Sequence, residues 1–464
     1  MPQPVTPPRF RLPHPLILLL GCLALSAAAS WIVPAGQYER REDKTLGRLV
    51  VVPGTYHRVD PAPLGPFEAA MAVPKGLVDA AAVVVLVFLV GGAFGVVEQT
   101  GALGAAVGWL VARLARRRAL VIPLSSVAFA AGGAAMNMQE EIIAFVPVLL
   151  LLVRRLGFDP LTSIAMSVGA AAVGAAFSPI NPFQVGIAQQ IAQLPPLSGG
   201  LFRTAVMVLA LVIWIGGTIR YAARTADRPT GNGVNRPAGA PGAAGGLPVS
   251  PSAGRPAVVL GLVAIAFALL VYGMVELGWG FTELSAIFFV MGLAAGLVAG
   301  FGWSGTADAF VSGFRAMAGA AMVVGFARAI YIALDEGRIL DSLVYAMFTP
   351  LEHLPLAASA IGMMAAHTLI HIPVPSVSGQ AVLTIPILVP LSDLLHLSRQ
   401  VTVLAYQYGT GLCDILTPTN GALMAILAAA GVPFDRWLRF TLPLWAALFG
   451  LGAAAVMTGI AVGL

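Results

Sequence analysis

Charge is scarce in this chain. Asp, Glu, Lys and Arg make up 10% of its 464 residues, against about a quarter in an ordinary soluble protein. That shortage excludes cytosolic catalysis and nucleic-acid binding. Cysteine is nearly missing: Cys22 and Cys413 lie far apart and cannot build the evenly spaced framework of a disulfide-stapled secreted domain. There is no glycine-rich phosphate loop, so ATP-driven transport would need a partner chain. An intramembrane zinc hydrolase is discounted as well, because Thr368 follows the first histidine of His367-Thr368-Leu369-Ile370-His371, where a metalloprotease needs glutamate. No enzyme activity is expected.

What fills the chain is apolar residue, 58% of the total, with a mean hydropathy of +0.88. Runs of about twenty such residues can each cross a hydrocarbon layer of about 30 Å, and they follow one another almost end to end. The fold class is therefore an all-α polytopic membrane protein. The excess of 26 basic over 21 acidic residues reads as a topology signal that holds loops on the cytoplasmic side.

Residues 1–76 are expected to hold a first span, Leu16 to Val33, and a polar extracytoplasmic loop from Ala35 to Lys75. The competing reading of the first run, a cleaved signal peptide ending near Ala27-Ala28-Ala29, fits a run of this length less well. The first repeat is expected over 77–221. In it, Arg113 and Arg116-Arg117-Arg118 precede Ala119 to Val153, and Arg154-Arg155 follow. With both clusters on the cytoplasmic side, the stretch between them enters and leaves by one face as a re-entrant hairpin. Its centre carries Gly132, Gly133, Asn137, Gln139, Glu140 and Glu141, a poor choice for lipid but suited to lining a buried cavity. Gly101 to Leu114 reads as a surface-lying helix, 222–255 as a flexible cytoplasmic linker rich in Gly, Pro and Ala, and 256–464 as the second half, with a hairpin at about 356–396. About nine crossings and two hairpins result, the N-terminus inside and the C-terminus outside.

The halves match each other. Pro147 and Pro386, Ser178 and Thr417, Pro179 and Pro418, and Asn181 and Asn420 are all separated by 239 positions. Each half thus reads as a hairpin followed by a span broken at a polar interruption, and an odd number of crossings between them inverts the second. Paired breaks in inverted halves mark the midplane site of a secondary transporter, where loose helix ends attract carboxylates and freed carbonyls coordinate Na⁺.

Some features allow a plainer role. Glu140 or Glu141 either serves the site or caps the returning hairpin arm. His367 and His371 line a polar cavity or handle substrate or protons. Arg328, inside a span, is expected to pair with Asp335 or Glu336 two turns along or to snorkel to the interface. Arg399 and Asp393 are expected to anchor the second hairpin, and Gly91-Gly92 and Gly132-Gly133 to permit close helix packing.

Asn137-Met138-Gln139-Glu140-Glu141 with Ala144-Phe145 and Pro147, then Asn181-Pro182-Phe183 with Gly186-Ile187-Ala188-Gln189, resemble the YfcC family, related to the DcuC-type C4-dicarboxylate carriers. In the second half, Ser378-Gly379-Gln380-Ala381-Val382-Leu383-Thr384, Pro390-Leu391-Ser392-Asp393, Ser398-Arg399-Gln400 and Thr417-Pro418-Thr419 look like the same pattern. The resemblance implies the ion transporter superfamily fold, with two inverted repeats, paired hairpins, a transport domain moving against a scaffold, and a homodimer in the bacterial inner membrane. Carried over, substrate or ion binding falls on Asn137, Gln139, Glu140 and Glu141 at the first tip and Ser178 and Asn181 at the first break. It falls likewise on Ser376, Ser378, Gly379 and Gln380 at the second tip and Thr417, Thr419 and Asn420 at the second break. Two positions depart from the family pattern: Thr410 replaces an acid between Gly409 and Gly411, and Asp414 stands where Asn is usual. They shift an ionisable group by about one helical turn and leave the coupling ion open.

The expected function is a secondary active transporter of a small carboxylate-bearing metabolite, an amino acid or a C4-dicarboxylate, working by alternating access. Coupling to Na⁺ or H⁺, or exchange, is expected, with Asp414 and His371 as candidate coupling groups and no other cofactor. A basic amino acid antiporter of the same fold is the near alternative, and an ion channel the alternative of another class.

Overall fold

In the computed structural model of the chain, residues 15–43, 48–102, 105, 120–225, 255–277 and 279–464 are described. Helices dominate. The first, α1 (Pro15–Ile32), is followed by four short strands, β1 (Gly36–Gln37), β2 (Arg40–Asp43), β3 (Arg48–Val51) and β4 (His57–Arg58), paired antiparallel as β1 with β4 and β2 with β3. Then come α2 (Pro66–Asp79) and α3 (Ala81–Gln99).

The next elements occur in one order twice. In the first unit α4 (Val121–Met136) ends at Asn137, whose left-handed backbone (φ 55°) turns the chain. A 3₁₀ turn at Glu141–Phe145 and α5 (Val146–Arg155) return it. An interrupted helix follows, α6 (Pro160–Ala176) and, after the break, α7 (182–191). A long helix, α8 (Gly200–Thr225), closes the unit. After α9 (Arg255–Glu276), α10 (Phe281–Ala299), α11 (Gly302–Glu336) and α12 (Leu340–Phe348), the second unit repeats the order. Its hairpin is α13 (Leu356–His371) and α14 (Val377–Leu394), its interrupted helix α15 (Arg399–Cys413) and α16 (Gly421–Ala430), and its closing helix α17 (Phe434–Ala461).

Several boundaries differ from expectation. Helix pairs occupy both expected hairpin positions, and the first reaches Arg155, so Arg154 and Arg155 lie in the last turn of α5, where cations complement the helix dipole. Helix α8 runs through Thr225, four residues into the expected linker, because good helix formers continue past the apolar core. The remainder of that linker, 226–254, and most of the expected surface helix at Gly101 to Leu114 lie outside the described residues. Among the described residues, six helices are long and apolar enough to cross a membrane: α3, α8, α10, α11, α14 and α17. That α14 is among them is unexpected for a hairpin arm, and it carries Pro386 and Pro390 within its length.

Arg328 corrects a second expectation. It pairs with Asp79 of α2, not with Asp335 or Glu336, and lies 4.6 Å from the Tyr331 ring. Glu336 instead takes Lys75 at 2.5 Å. Helix α11 is 35 residues long, so the neighbour across the helix interface, not the next turn, supplies the partner. Three of the four expected glycines pack closely: Gly91 and Gly92 meet α11 at Gly313 and Phe310 with no room for a Cβ, and Gly133, with Gly174, lets α4 and α6 cross with backbones touching, whereas Gly132 meets only the Met138 side chain.

The β-loop is clamped onto α12. Asp341, 3% exposed, accepts from Tyr38 N (2.9 Å) and pairs with Arg40 (2.8 Å), while Tyr56 stacks on Tyr345 at 4.1 Å.

Candidate functional site

The two breaks are built by the same means. At the first, Pro179 and Pro182 cannot donate backbone hydrogen bonds, so side chains satisfy the loose ends. Ser178 Oγ accepts from Ile180 N (3.0 Å) and Asn181 N (2.9 Å) and donates to Ala134 O (2.7 Å). Asn181 caps α7, its Oδ1 accepting from Phe183 N and Gln184 N, and its Nδ2 donates to Gly133 O at 2.9 Å. At the second, Thr419 Oγ1 donates to Ile372 O and lies 2.6 Å from Thr417 Oγ1. Asn420 caps α16 through Leu423 N at 3.0 Å. In each unit, then, a hydroxyl of the break grips a carbonyl near the end of the preceding hairpin arm, and an Asn restarts the helix.

Tip and break then join across the units. Gln139 of the first tip donates to Asp414 Oδ2 (2.7 Å) and accepts from Asn420 Nδ2 (2.9 Å), which also reaches Asp414 Oδ1 at 2.9 Å. From the second hairpin, His371 Nε2 lies 2.8 Å from Asp414 Oδ1, and His371 Nδ1 lies 3.0 Å from Gln380 Oε1. Gln380 Nε2 donates to His367 O (2.9 Å) and to His367 Nδ1 (3.0 Å). Asp414 is 4% exposed and His371 and Gln380 are fully buried. The sequence therefore named every member of this network except for the pairing itself.

Other predicted residues stand apart. Asn137 Oδ1 accepts from Gln184 Nε2 at 3.2 Å, tying the first tip to its own break. Ser376 caps α14, accepting from Gly379 N at 3.2 Å, and Gly379 contributes only that N–H. Ser378 is half-buried and joins neither network. Glu140 stands at the N-cap position of the returning 3₁₀ turn and Glu141 in its first turn, though without a side-chain cap hydrogen bond. Glu141 is buried with Oε2 unpartnered, like Gln184 Oε1, Thr410 Oγ1 and His367 Nε2. Thr410 sits between two glycines that a Cβ would drive into Met364 O on α13 and Ala176 on α6, so that stretch of α15 is wedged between the second hairpin and the first break.

Sequence reasoning missed Arg203, Gln184, Gln400 and Gln407. Arg203, fully buried in the first turn of α8, donates to Gln407 Oε1 (3.1 Å), Gln400 Oε1 (2.9 Å) and Ser198 O (2.6 Å). No carboxylate among the described residues pairs with it. Gln407 Nε2 in turn donates to Ser178 O at 2.7 Å, linking the guanidinium to the first break. The available signal was the seven-residue spacing of Gln400 and Gln407, which sets them on one helix face. Arg203 itself reads in sequence as one more loop charge.

Residues 12–461 match the family model described as DcuC, C4-dicarboxylate anaerobic carrier. YfcC of Escherichia coli (strain K12), provisionally named a basic amino acid antiporter, is 30% identical, with 97% of this chain and 96% of that protein covered. An uncharacterised protein of Haemophilus influenzae is 26% identical over 97% of each chain. Among solved structures, the Alcanivorax borkumensis YdaH transporter aligns over 97% of this chain and 99% of its own at 17% identity and a TM-score of 0.44. Neisseria gonorrhoeae MtrF, from a class of antimetabolite efflux pumps, covers 97% and 96% at 18% identity and a TM-score of 0.40.

Proposed function

The chain belongs to the DcuC family of C4-dicarboxylate anaerobic carriers, with YfcC among its relatives, and from that premise we propose that it is a secondary active transporter of a small carboxylate-bearing metabolite, an amino acid or a C4-dicarboxylate. It is a multi-pass membrane transporter. The finer reading is alternating access, coupled to a cation or to exchange, by a domain that carries both hairpins. In it the two units are inverted repeats, the hairpins are re-entrant, and the protein works as a homodimer in the bacterial inner membrane.

One observation carries this reading: Gln139 of one hairpin, His371 of the other and Asn420 of the second break converge on Asp414. Side chains at hairpin tips and helix breaks that meet at a single buried carboxylate can bind ion and cargo together and respond to both. The helix restart at Asn420, where the side-chain cap takes Leu423 N, would offer the N–H groups ahead of it to a cargo carboxylate.

Basic amino acid antiport is a second reading, favoured by Glu140 and Glu141. Glu141 Oε2 is buried without a hydrogen-bond partner, which suits a cationic side chain. Uptake of labelled succinate and labelled arginine into proteoliposomes, under imposed Na⁺ or pH gradients, decides between them. Saturable uptake of one, accelerated by counter-substrate or a gradient, is expected. A non-saturating conductance would leave the channel reading and end this one.

A further inference from the structure

The hydrogen bonds around Asp414 can be oriented from their backbone ends, because a backbone N–H only donates and a carbonyl only accepts. At one end Leu423 N donates to Asn420 Oδ1. The Asn420 amide NH₂ therefore faces Gln139 Oε1 and Asp414 Oδ1, which turns the Gln139 NH₂ toward Asp414 Oδ2. At the other end His367 O can only accept, so it fixes the Gln380 NH₂ on its side and leaves Gln380 Oε1 facing His371 Nδ1. His371 Nδ1 must then carry a proton. A neutral imidazole has one N–H, so its Nε2 would present a lone pair to Asp414 Oδ1 at 2.8 Å, and a carboxylate there would be repelled. The contact exists only if one further proton occupies it.

We propose that the hydrogen bond between His371 Nε2 and Asp414 Oδ1 is the protein's coupling-ion site and that the ion is a proton. The inference rests on the transporter reading and names its driving ion. With the proton bound, His371 and Gln380 of the second hairpin, Asp414 and Asn420 of the second break, and Gln139 of the first tip form one continuous network. Once the proton leaves to water, a lone pair faces a carboxylate, and the second hairpin loses its side-chain link through Asp414 to the first tip, while Thr419 still holds Ile372 O. That link is thus closed while loaded and open when empty. The titratable groups facing the pair are His367 on the same arm, Tyr406 and Cys413 on α15, and Glu140 at the first tip with Glu141 behind it; α16 contributes none.

The direct test is ¹⁵N NMR of the full-length protein labelled at histidine, with His371 assigned by loss of its signals in His371→Gln. At neutral pH both ring nitrogens of His371 are expected to hold or share a proton. In Asp414→Asn, where the new amide donates to Nε2, a neutral ring protonated only at Nδ1 is expected. A wild-type His371 with one bare nitrogen, unchanged in Asp414→Asn, would overturn the site. This arm needs no cargo, so it stands or falls apart from the transport reading. In proteoliposomes that accumulate labelled succinate or arginine, Asp414→Asn is expected to lower pH-gradient-driven accumulation about tenfold or more. Accumulation by that variant that still follows the gradient within about twofold would refute the coupling role.

Discussion

The first break and the second share a plan and differ in what they hold. Asn181 and Asn420 both restart a helix, yet the spare N–H of Asn181 goes to a backbone carbonyl of its own hairpin, Gly133 O, whereas that of Asn420 goes to Gln139 of the other unit and to Asp414. Everything the first break touches is uncharged apart from Arg203, reached through Gln407. The second is organised around a carboxylate and an imidazole. A side-chain amide stapled to a backbone carbonyl has one stable arrangement, while a network whose members gain and lose a proton, as proposed, has two. The same order of elements occurs twice, and on the proposed coupling the difference in side chains would make the first break a fixed wall and the second a responsive one.

Substitutions at matched positions break that comparison most sharply. Asn420→Asp keeps the cap but sets a second carboxylate against Asp414, and uptake is expected to fall about a hundredfold, by the ~3 kcal/mol cost of removing a buried amide donor and adding a like charge. Asn181→Asp also keeps its cap and turns a carboxylate oxygen toward Gly133 O, but with no second carboxylate beside it, so a smaller decrease of about tenfold is expected (~1–1.5 kcal/mol). Equal losses in the two would erase the proposed division of labour. Arg203→Met removes two hydrogen bonds that join α8 to α15 and, through Gln407, to the first break, and a third to Ser198 O. We expect thermal unfolding of the purified protein to report a loss of about 2–4 kcal/mol, with no change in the pH dependence of residual uptake. Far from both breaks, Asp341→Ala unpins the β-loop from α12, and the same measurement should show about 1–3 kcal/mol, with uptake per folded molecule unchanged. The smallest effect, at most about 1 kcal/mol, is expected for Arg328→Gln, whose ion pair with Asp79 is half-exposed.

Much of this was legible in the sequence because it is local. The hairpins, the breaks and the caps each depend on residues within a few positions, and the 239-residue offset carried the plan from one half to the other. Gln139, Gln380, Asp414 and Asn420 were legible one by one, as polar residues too costly to bury without purpose. Their partnership was not, since Gln139 and Asp414 are 275 residues apart and no periodicity reports a contact of that range. Arg328 shows the opposite error: the nearest acids in sequence were Asp335 and Glu336, but packing of α2 against α11 brought Asp79 closer. Arg203 escaped notice because a charge beside a loop is ordinary, and only tertiary burial makes it exceptional.

The meeting of the first tip with the second break is the claim on which the rest depends, and cross-linking tests it most directly. In a chain with Cys22 and Cys413 replaced, Gln139→Cys and Asn420→Cys are combined and treated in native membranes with a short bis-alkylating reagent. Efficient intramolecular linkage is expected, since the native side chains meet at 2.9 Å, and a Ser378→Cys partner for Gln139→Cys should link poorly. No linkage of the first pair, in protein that remains folded, would contradict the account.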